Sequence, residues 1–165
     1  MVNLTYSLQQ GLIYGAALTG YLLLMMMTFD PIVWGYSDYP ERVKHKVREP
    51  SSDERKIGLI VSIPFLLFTL LFPIYSVLRL RTMFGGSILF LDAFVHLLVL
   101  AAFASFGDLV LIDWLLISKI TPGFVIIEGS EAADYKDFRH HYVGHVYASV
   151  VIFFLCAFVA YIISI

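Results

Sequence analysis

The sequence predicts an all-α membrane protein with four transmembrane helices in a single polytopic domain, residues 1–165. Hydrophobic residues make up 59% of the chain and charged residues 15%, whereas soluble domains carry about 25% charged residues. The mean hydropathy is +0.82. The apolar residues fall into four runs, each at least as long as the roughly 20 residues that a helix needs to cross a bilayer. Lipid cannot satisfy free backbone groups, so we expect every run to be helical.

The four apolar runs differ in length, and the third is unusually long. In chain order, the predicted spans cover about residues 4–28, 57–78, 87–117 and 142–163. As an α-helix, the third run would extend about 46 Å, whereas the hydrocarbon core of a bilayer is about 30 Å thick. We therefore expect this helix to tilt, protrude or break, and Gly107 is its natural weak point.

Small residues recur at every fourth position of the first span, at Ser7, Gly11, Gly15 and Thr19. Such a stripe allows another helix to approach closely. We expect the partner helix to come from the same bundle. A homo-oligomer built on this face is the alternative interpretation.

The second span has a clear beginning and end. Ser51 to Glu54 supplies a capping residue and first-turn acids, which are typical of a helix start. Pro64 and Pro73 lie inside the span, and each favours a kink. Gly85 and Gly86 predict a short turn into the third span.

The two polar loops, residues 30–56 and 119–140, are predicted to be structured. Val43 to Val47 alternates in polarity like a short strand, and Phe124 to Ile127 is rich in β-branched residues. We expect these segments to pair in a β-hairpin-like manner. The fourth helix is predicted to begin in water near Glu131, because Ser130 is a good N-cap residue.

The distribution of positive charge predicts the orientation of the chain. Of the 11 Lys and Arg residues, only Arg79 and Arg81 lie outside the two polar loops. Cytoplasmic loops carry an excess of Lys and Arg. We therefore expect both loops in the cytoplasm and both termini on the extracytoplasmic side of a prokaryotic plasma membrane.

A polar cluster is predicted where the third and fourth spans meet the cytoplasmic side. On a helix that starts near Glu131, Asp134, Asp137, His141 and His145 fall within about 80° of arc. His141 and His145 are four residues apart, so both imidazoles converge on one point.

The third span brings Asp108 and Asp113 to the same side of the membrane. These two residues are separated by about 140° on an α-helix, so only one should face the cluster unless the helix breaks. Asp108 is the sharper indication, because an acid inside an apolar run must be paired or face water.

Histidines with carboxylates suit three kinds of site. Asp108, His141 and His145 form a credible ligand set for a divalent metal ion such as Zn²⁺, Mn²⁺ or Fe²⁺. The same residues suit a proton relay, or a structural polar cluster. Asp92 and His96 form a second polar pair, four residues apart near the outer end of the third span. It is interpreted as a salt-bridged structural pair with Arg79 or Arg81, or as an outer binding or proton-entry point.

Several function classes are excluded by the sequence. The chain contains no Walker loop, no G-x-G-x-x-G after a strand and no G-x-S-x-G elbow. Its net charge of −2 gives no basis for nucleic-acid binding. The single Cys156 excludes a disulfide within the chain, and a buried packing thiol is the default interpretation.

The stretch from Asp108 to His145 combines D-L-V-L-I-D-W, T-P-G-F-V-I-I-E-G-S-E and Y-K-D-F-R-H-H. It resembles a group of small, uncharacterised prokaryotic four-helix membrane proteins with a D-x4-D-W helix end, a T-P turn and a G-[ST]-E segment. The resemblance covers about a quarter of the chain and implies no activity. It implies that the following residues act as one unit: Asp108, Asp113, Trp114, Pro122, Glu128, Gly129, Glu131, Tyr135 and Asp137.

Three functions remain open from the sequence. The first is a binding or transport protein whose cytoplasmic-side site takes a proton, a cation or a small polar ligand, through Asp108, Asp113, Asp137, His141 and His145. The second is a metal-dependent membrane enzyme that acts on a lipid or isoprenoid. The third is an assembly subunit without chemistry.

Overall fold

The computed structural model describes residues 3–165, and this part of the chain is helical with no β-strand. Four of its helical stretches are long and apolar enough to cross a membrane: Leu4–Thr28, Ser52–Met83, Phe90–Ile120 and Ala132–Ser164. The prediction of four apolar helices is therefore confirmed. The second and fourth stretches extend beyond their predicted ends.

Shorter elements lie between the long helices, on one end of the bundle. In chain order, the elements are α1 (Leu4–Thr28), α2 (Pro31–Trp34), α3 (Glu41–Lys44), α4 (Ser52–Met83), α5 (Phe90–Phe106), a π-helix (Gly107–Ile120), two 3₁₀ turns (Gly123–Val125 and Ala132–Tyr135) and α6 (Phe138–Ser164). The start of α4 has the predicted cap. The Ser51 hydroxyl accepts from the Glu54 amide at 3.3 Å, and the Glu54 carboxylate accepts from the Ser51 amide at 2.7 Å.

The small-residue stripe of α1 packs against α5 and the start of the π-helix. A Cβ atom at Gly15 would lie 2.7 Å from the carbonyl oxygen of Phe103, and a Cβ at Gly107 would collide with the hydroxyl of Thr19. At such distances no side chain fits, so the two backbones pack directly against each other. The predicted close approach therefore occurs within the chain.

The third long helix changes its winding at Gly107 instead of breaking there. Residues Phe90–Phe106 are α-helical and Gly107–Ile120 form a π-helix, in which amides bond to carbonyls five residues back. The last such bond runs from the Thr121 amide to the Leu116 carbonyl at 2.8 Å, and Thr121 ends the helix with φ 53°.

The two polar loops pack together into one loop layer, defined as residues 30–51 and 121–137. Its core includes Tyr39, Val43, Val125 and Tyr135, all of them buried. The Tyr39 hydroxyl donates to the Val125 carbonyl at 3.0 Å, and the Tyr39 and Tyr135 rings meet edge to face at 4.8 Å. The layer therefore forms a packed unit at the end of the π-helix.

The predicted β-hairpin-like pairing inside this layer is wrong. Val43 belongs to α3 and Val125 to a 3₁₀ turn. The Val125 amide bonds to the Pro122 carbonyl at 3.0 Å, and the Lys46 amide to the Val43 carbonyl at 2.9 Å. These local bonds use the amides that a β-ladder would need. The two segments do meet, but through side chains.

The fourth long helix also begins differently from the prediction. Residues Ala132–Tyr135 form a separate 3₁₀ turn, and α6 starts at Phe138. The Asp137 side chain caps α6 by accepting from the Arg139 amide at 3.2 Å. Asp134 and Asp137 therefore do not continue the helical face that carries the histidines.

Candidate functional site

Two carboxylates from the π-helix and two histidines from α6 meet beside the loop layer. His145 Nε2 lies 3.1 Å from Asp113 Oδ2 and 3.6 Å from Asp108 Oδ2. His141 Nδ1 lies 3.3 Å from Asp113 Oδ1. Asp113 thus contacts both histidines, one through each carboxylate oxygen, and stands at the centre of the cluster.

The π-helix explains how Asp108 and Asp113 both reach α6. In a π-helix, residues five apart are joined by one turn of hydrogen bonding, so their side chains lie closer in direction than on an α-helix. The prediction that only one of the two faces the cluster is therefore wrong. It assumed α-helical winding, in which a separation of five residues gives about 140°.

The histidines reach the cluster because they occupy successive turns of α6. His141 and Asp113 are buried, with 8% and 9% of their surface exposed, whereas His145 and Asp108 keep partly exposed surfaces. A pair of polar groups buried to this degree must satisfy each other. The half that contains Asp108 and His145 is the one open to a bound molecule.

Asp134 and Asp137 lie outside the cluster. The Asp134 carboxylate binds the Lys46 ammonium at 2.7 Å and accepts from the Glu131 amide at 2.9 Å. Asp137 is the cap of α6. Placing Asp137 in the site was a consequence of assuming one continuous helix from Glu131.

Asp38, in the loop layer, adds negative charge near the cluster and is missing from the sequence prediction. Desolvation by the surrounding loops and the negative charge of Asp113 raise the pKa of Asp38, although part of its surface stays exposed. The backbone carbonyl of Asp38 also lies 3.1 Å from His140 Nε2.

A cavity of about 350 Å³ extends from the open half of the cluster into the bundle. Asp108 and His145 line one end of it, and the walls are apolar side chains of α1, α4, α5 and α6 with a few polar groups between them. Those polar groups are Tyr14, Thr19, Thr69 and Ser105. The volume lies within the range of small-molecule pockets, about 300–1,000 Å³.

The two helices that flank the cavity are held apart by the helices behind it. Helix α4 packs on α1 and α5, and α6 packs on α5 and the π-helix. Beyond the cavity, an apolar cluster that includes Val77 and Leu80 of α4 and Ala160 and Ile163 of α6 closes that end. The cavity therefore lies between α4 and α6, closed at one end and polar at the other.

The second predicted polar pair has a structural arrangement. His96 is fully buried, with Nδ1 2.9 Å from the Ser7 hydroxyl and Nε2 2.9 Å from the Ser76 hydroxyl. It stacks on the Tyr6 ring at 5.5 Å between centroids. His96 thus joins α1, α4 and α5 through both ring nitrogens, and these nitrogens bond to serines rather than to the buried Asp92.

Three residues of the cluster lie close enough together to be candidate ligands of one metal ion. One ligand atom each from Asp108, Asp113 and His145 lies within 4.8 Å of the other two. Metal–ligand distances are about 2.0–2.2 Å for His nitrogen and carboxylate oxygen, so the three groups would have to move closer together to share one ion. The sequence predicted Asp108, His141 and His145 as the ligand set. The structure groups Asp113 with Asp108 and His145 instead, because Asp113 lies between the two histidines and His141 contacts Asp113.

Comparisons with known proteins find no match to this chain. No family model matches it, and neither a curated protein nor a solved structure matches it. The resemblance seen in the stretch from Asp108 to His145 stays a prediction.

Proposed function

We propose that this chain is an integral membrane protein that binds a divalent metal ion through Asp108, Asp113 and His145. The observation that carries the proposal is the convergence of one ligand atom from each residue within 4.8 Å. A site of one imidazole and two carboxylates suits Zn²⁺, Mn²⁺ or Fe²⁺.

The charges around the site support a cation as its ligand. Asp38 adds a third carboxyl group near the two of the site, and its pKa is raised first by desolvation and then by the negative charge of Asp113. His141 fits the role of a positioning residue, because it contacts the free oxygen of Asp113 at 3.3 Å. Such partners orient a metal-binding carboxylate and strengthen its binding.

The cavity supports binding at the site over passage of an ion through the protein. Its walls are mostly apolar, and the cluster around Val77, Leu80 and Ala160 closes the far end. A dehydrated ion has few ligands along such a route. Metal-dependent chemistry on a lipid or isoprenoid is the second candidate, favoured by the position of the cavity next to Asp108 and His145.

The orientation in the membrane is part of the proposal. Lys and Arg residues concentrate in the loop layer and its flanks, while Arg79 and Arg81 alone lie at the opposite end of α4. By the positive-inside rule, the loop layer and the metal site face the cytoplasm of a prokaryotic plasma membrane, and both termini face outward.

Metal analysis of the purified protein tests the proposal. We expect roughly one metal ion per chain after incubation with Zn²⁺ or Mn²⁺ and removal of the excess. Asp113→Asn and His145→Gln should lose this ion, and His141→Phe should weaken its binding by about 10–100-fold. The measurements are elemental analysis and metal titration in detergent.

Asp137→Asn is the matched control, because asparagine caps a helix as well as aspartate does and Asp137 does not contact the metal site. It should keep the full metal content. A wild-type protein that binds neither ion, while Asp113→Asn changes only the melting temperature, would contradict metal binding and leave a structural polar cluster.

A further inference from the structure

The lining of the cavity changes from polar to apolar along its length. Asp108 and His145 line its polar end, and Pro73, Cys156 and Val159 line the opposite end. From His145 to Val159, α6 rises about 21 Å. A molecule that fills this space needs one polar end and a long apolar body.

The position of the cavity gives such a molecule access from the bilayer. Its flanking side chains on α4 and α6 include Leu70 and Leu155, which are exposed on the outer surface of the chain. In a membrane this surface faces lipid tails. An apolar chain can therefore enter sideways between α4 and α6 without crossing water.

We infer that the cavity binds a single-chain amphiphile whose apolar chain lies between α4 and α6 and whose hydroxyl or carboxyl head reaches Asp108 and His145. The inference rests on the proposed function in one respect, because the bound metal ion provides the ligand position for the head oxygen.

The charges of the cavity limit the head group to a small one. A divalent ion and the carboxylates of Asp108 and Asp113 sum to a neutral centre. Among residues 3–165, no Lys and no Arg line the cavity, so a phosphate or diphosphate head would find no side-chain countercharge there. A neutral hydroxyl or a singly charged carboxyl needs only one ligand position on the metal.

Photocrosslinking in lipid nanodiscs tests the inference. The probes are hexadecanoic acid and hexadecanol, each with a diazirine in the chain, and a hexadecyl phosphate analogue for comparison. We expect the acid or the alcohol to label cavity-lining residues such as Ile74, Ala148 and Ile152, with weaker labelling by the phosphate. Occupancy should also protect Cys156, the single cysteine, from alkylation by N-ethylmaleimide.

Two neighbouring positions on α6 provide a matched pair of variants. Ile152→Trp fills the cavity and should abolish both cavity labelling and Cys156 protection. Val151→Trp changes an exposed residue outside the cavity lining and should leave both unchanged. If Ile152→Trp fails to fold, Ala148→Leu makes the same test with a smaller side chain.

The experiments distinguish an absent amphiphile site from an absent metal site. Labels spread evenly over the lipid-facing surfaces of α4 and α6, and insensitive to Ile152→Trp, would overturn the amphiphile site even if the protein holds its metal. Cavity labelling in a protein that binds no metal would instead support the amphiphile site and contradict the metal. Where both hold, Asp113→Asn should lose the metal and weaken probe binding.

Discussion

At the scale of single residues, Asp113 decides whether the cluster is a site or a set of isolated pairs. Each of its two carboxylate oxygens contacts a different histidine, His141 at 3.3 Å and His145 at 3.1 Å. Asp108 adds a second carboxylate to His145 alone. Removing Asp113 therefore leaves only the contact between His145 and Asp108, whereas removing Asp108 or His141 leaves two of the three contacts in place.

Lys46 gives a prediction at the same scale, because it ties the loop layer together near the site. Its hydrogen bond to Asp134 raises the pKa of Lys46 above the ordinary value of 10.5, so the folded protein holds this proton more tightly than the unfolded chain does. The stabilisation is complete below the ordinary pKa and is lost as pH rises through the raised value. We expect Lys46→Met to lower the melting temperature near pH 8 and to converge with the wild type once the pH has risen through the raised pKa of Lys46, above 10.5.

The control for this pH dependence is Lys56→Met. Lys56 pairs with Asp53 at 3.1 Å on an exposed helix surface, where such pairs contribute little. The melting temperature of the Lys56→Met protein should follow that of the wild type at every pH. A difference in melting temperature between Lys46→Met and the wild type that does not narrow as the pH rises above 10.5 would show that the ion pair with Asp134 does not contribute as the structure implies.

At the scale of elements, the contact of α1 with the π-helix positions the site. Gly107 starts the π-helix, and Thr19 of α1 occupies the space where a Cβ of residue 107 would lie. Asp108 follows directly in the chain. The close approach of the two helices thus sets where the first carboxylate of the site enters the bundle.

Gly107→Ala should destabilise the protein, because its Cβ collides with the Thr19 hydroxyl. Overpacking of this kind costs about 1–3 kcal/mol. Thr19→Ala removes the hydroxyl and should restore much of the loss in the double variant. The comparison is made by thermal unfolding of the four proteins in one detergent.

Gly144 on α6 provides the control for this substitution. A Cβ at Gly144 meets no atom within 4 Å, so Gly144→Ala should be neutral or stabilising by up to about 1 kcal/mol. If Gly107→Ala is as stable as Gly144→Ala, the backbones of α1 and the π-helix do not approach as closely as described.

The elements that the sequence predicted well are those set by local pattern. Apolar runs predicted the four long helices, Ser51 and Glu54 predicted the start of α4, and the spacing of Gly11 and Gly15 predicted a packed face. Such features depend on residues a few positions apart. They can therefore be derived without knowing which elements meet.

The site was only half predictable, because its geometry depends on winding and on distant contacts. Asp108, His141 and His145 were identified from composition and spacing, but Asp113 was ranked lower under α-helical periodicity. No residue type in Gly107–Ile120 signals π-helical winding. Asp134 was misplaced because its partner Lys46 lies 88 residues away.

At the scale of the whole molecule, the chain divides into a polar end and an apolar end. The loop layer covers the π-helix and the Asp/His cluster, whereas the other end is held by apolar packing of α4, α5 and α6. The cavity joins the cluster to the lipid-facing gap between α4 and α6. A ligand from the bilayer and a metal ion from water would therefore reach the same residues from different sides.

The distribution of charge predicts which end of the molecule faces the cytoplasm, and this orientation can be tested directly. In a Cys156→Ser background, Ser37→Cys places a thiol in the loop layer and Ser87→Cys places one at the opposite end, and both positions are exposed. Since Lys and Arg concentrate on the loop side, we expect that side to face the cytoplasm. A membrane-impermeant maleimide added to intact bacterial cells should label Ser87→Cys at once and Ser37→Cys only after the cells are permeabilised. The reverse pattern would place the proposed metal site outside the cell, where it would draw its ion from the extracytoplasmic pool.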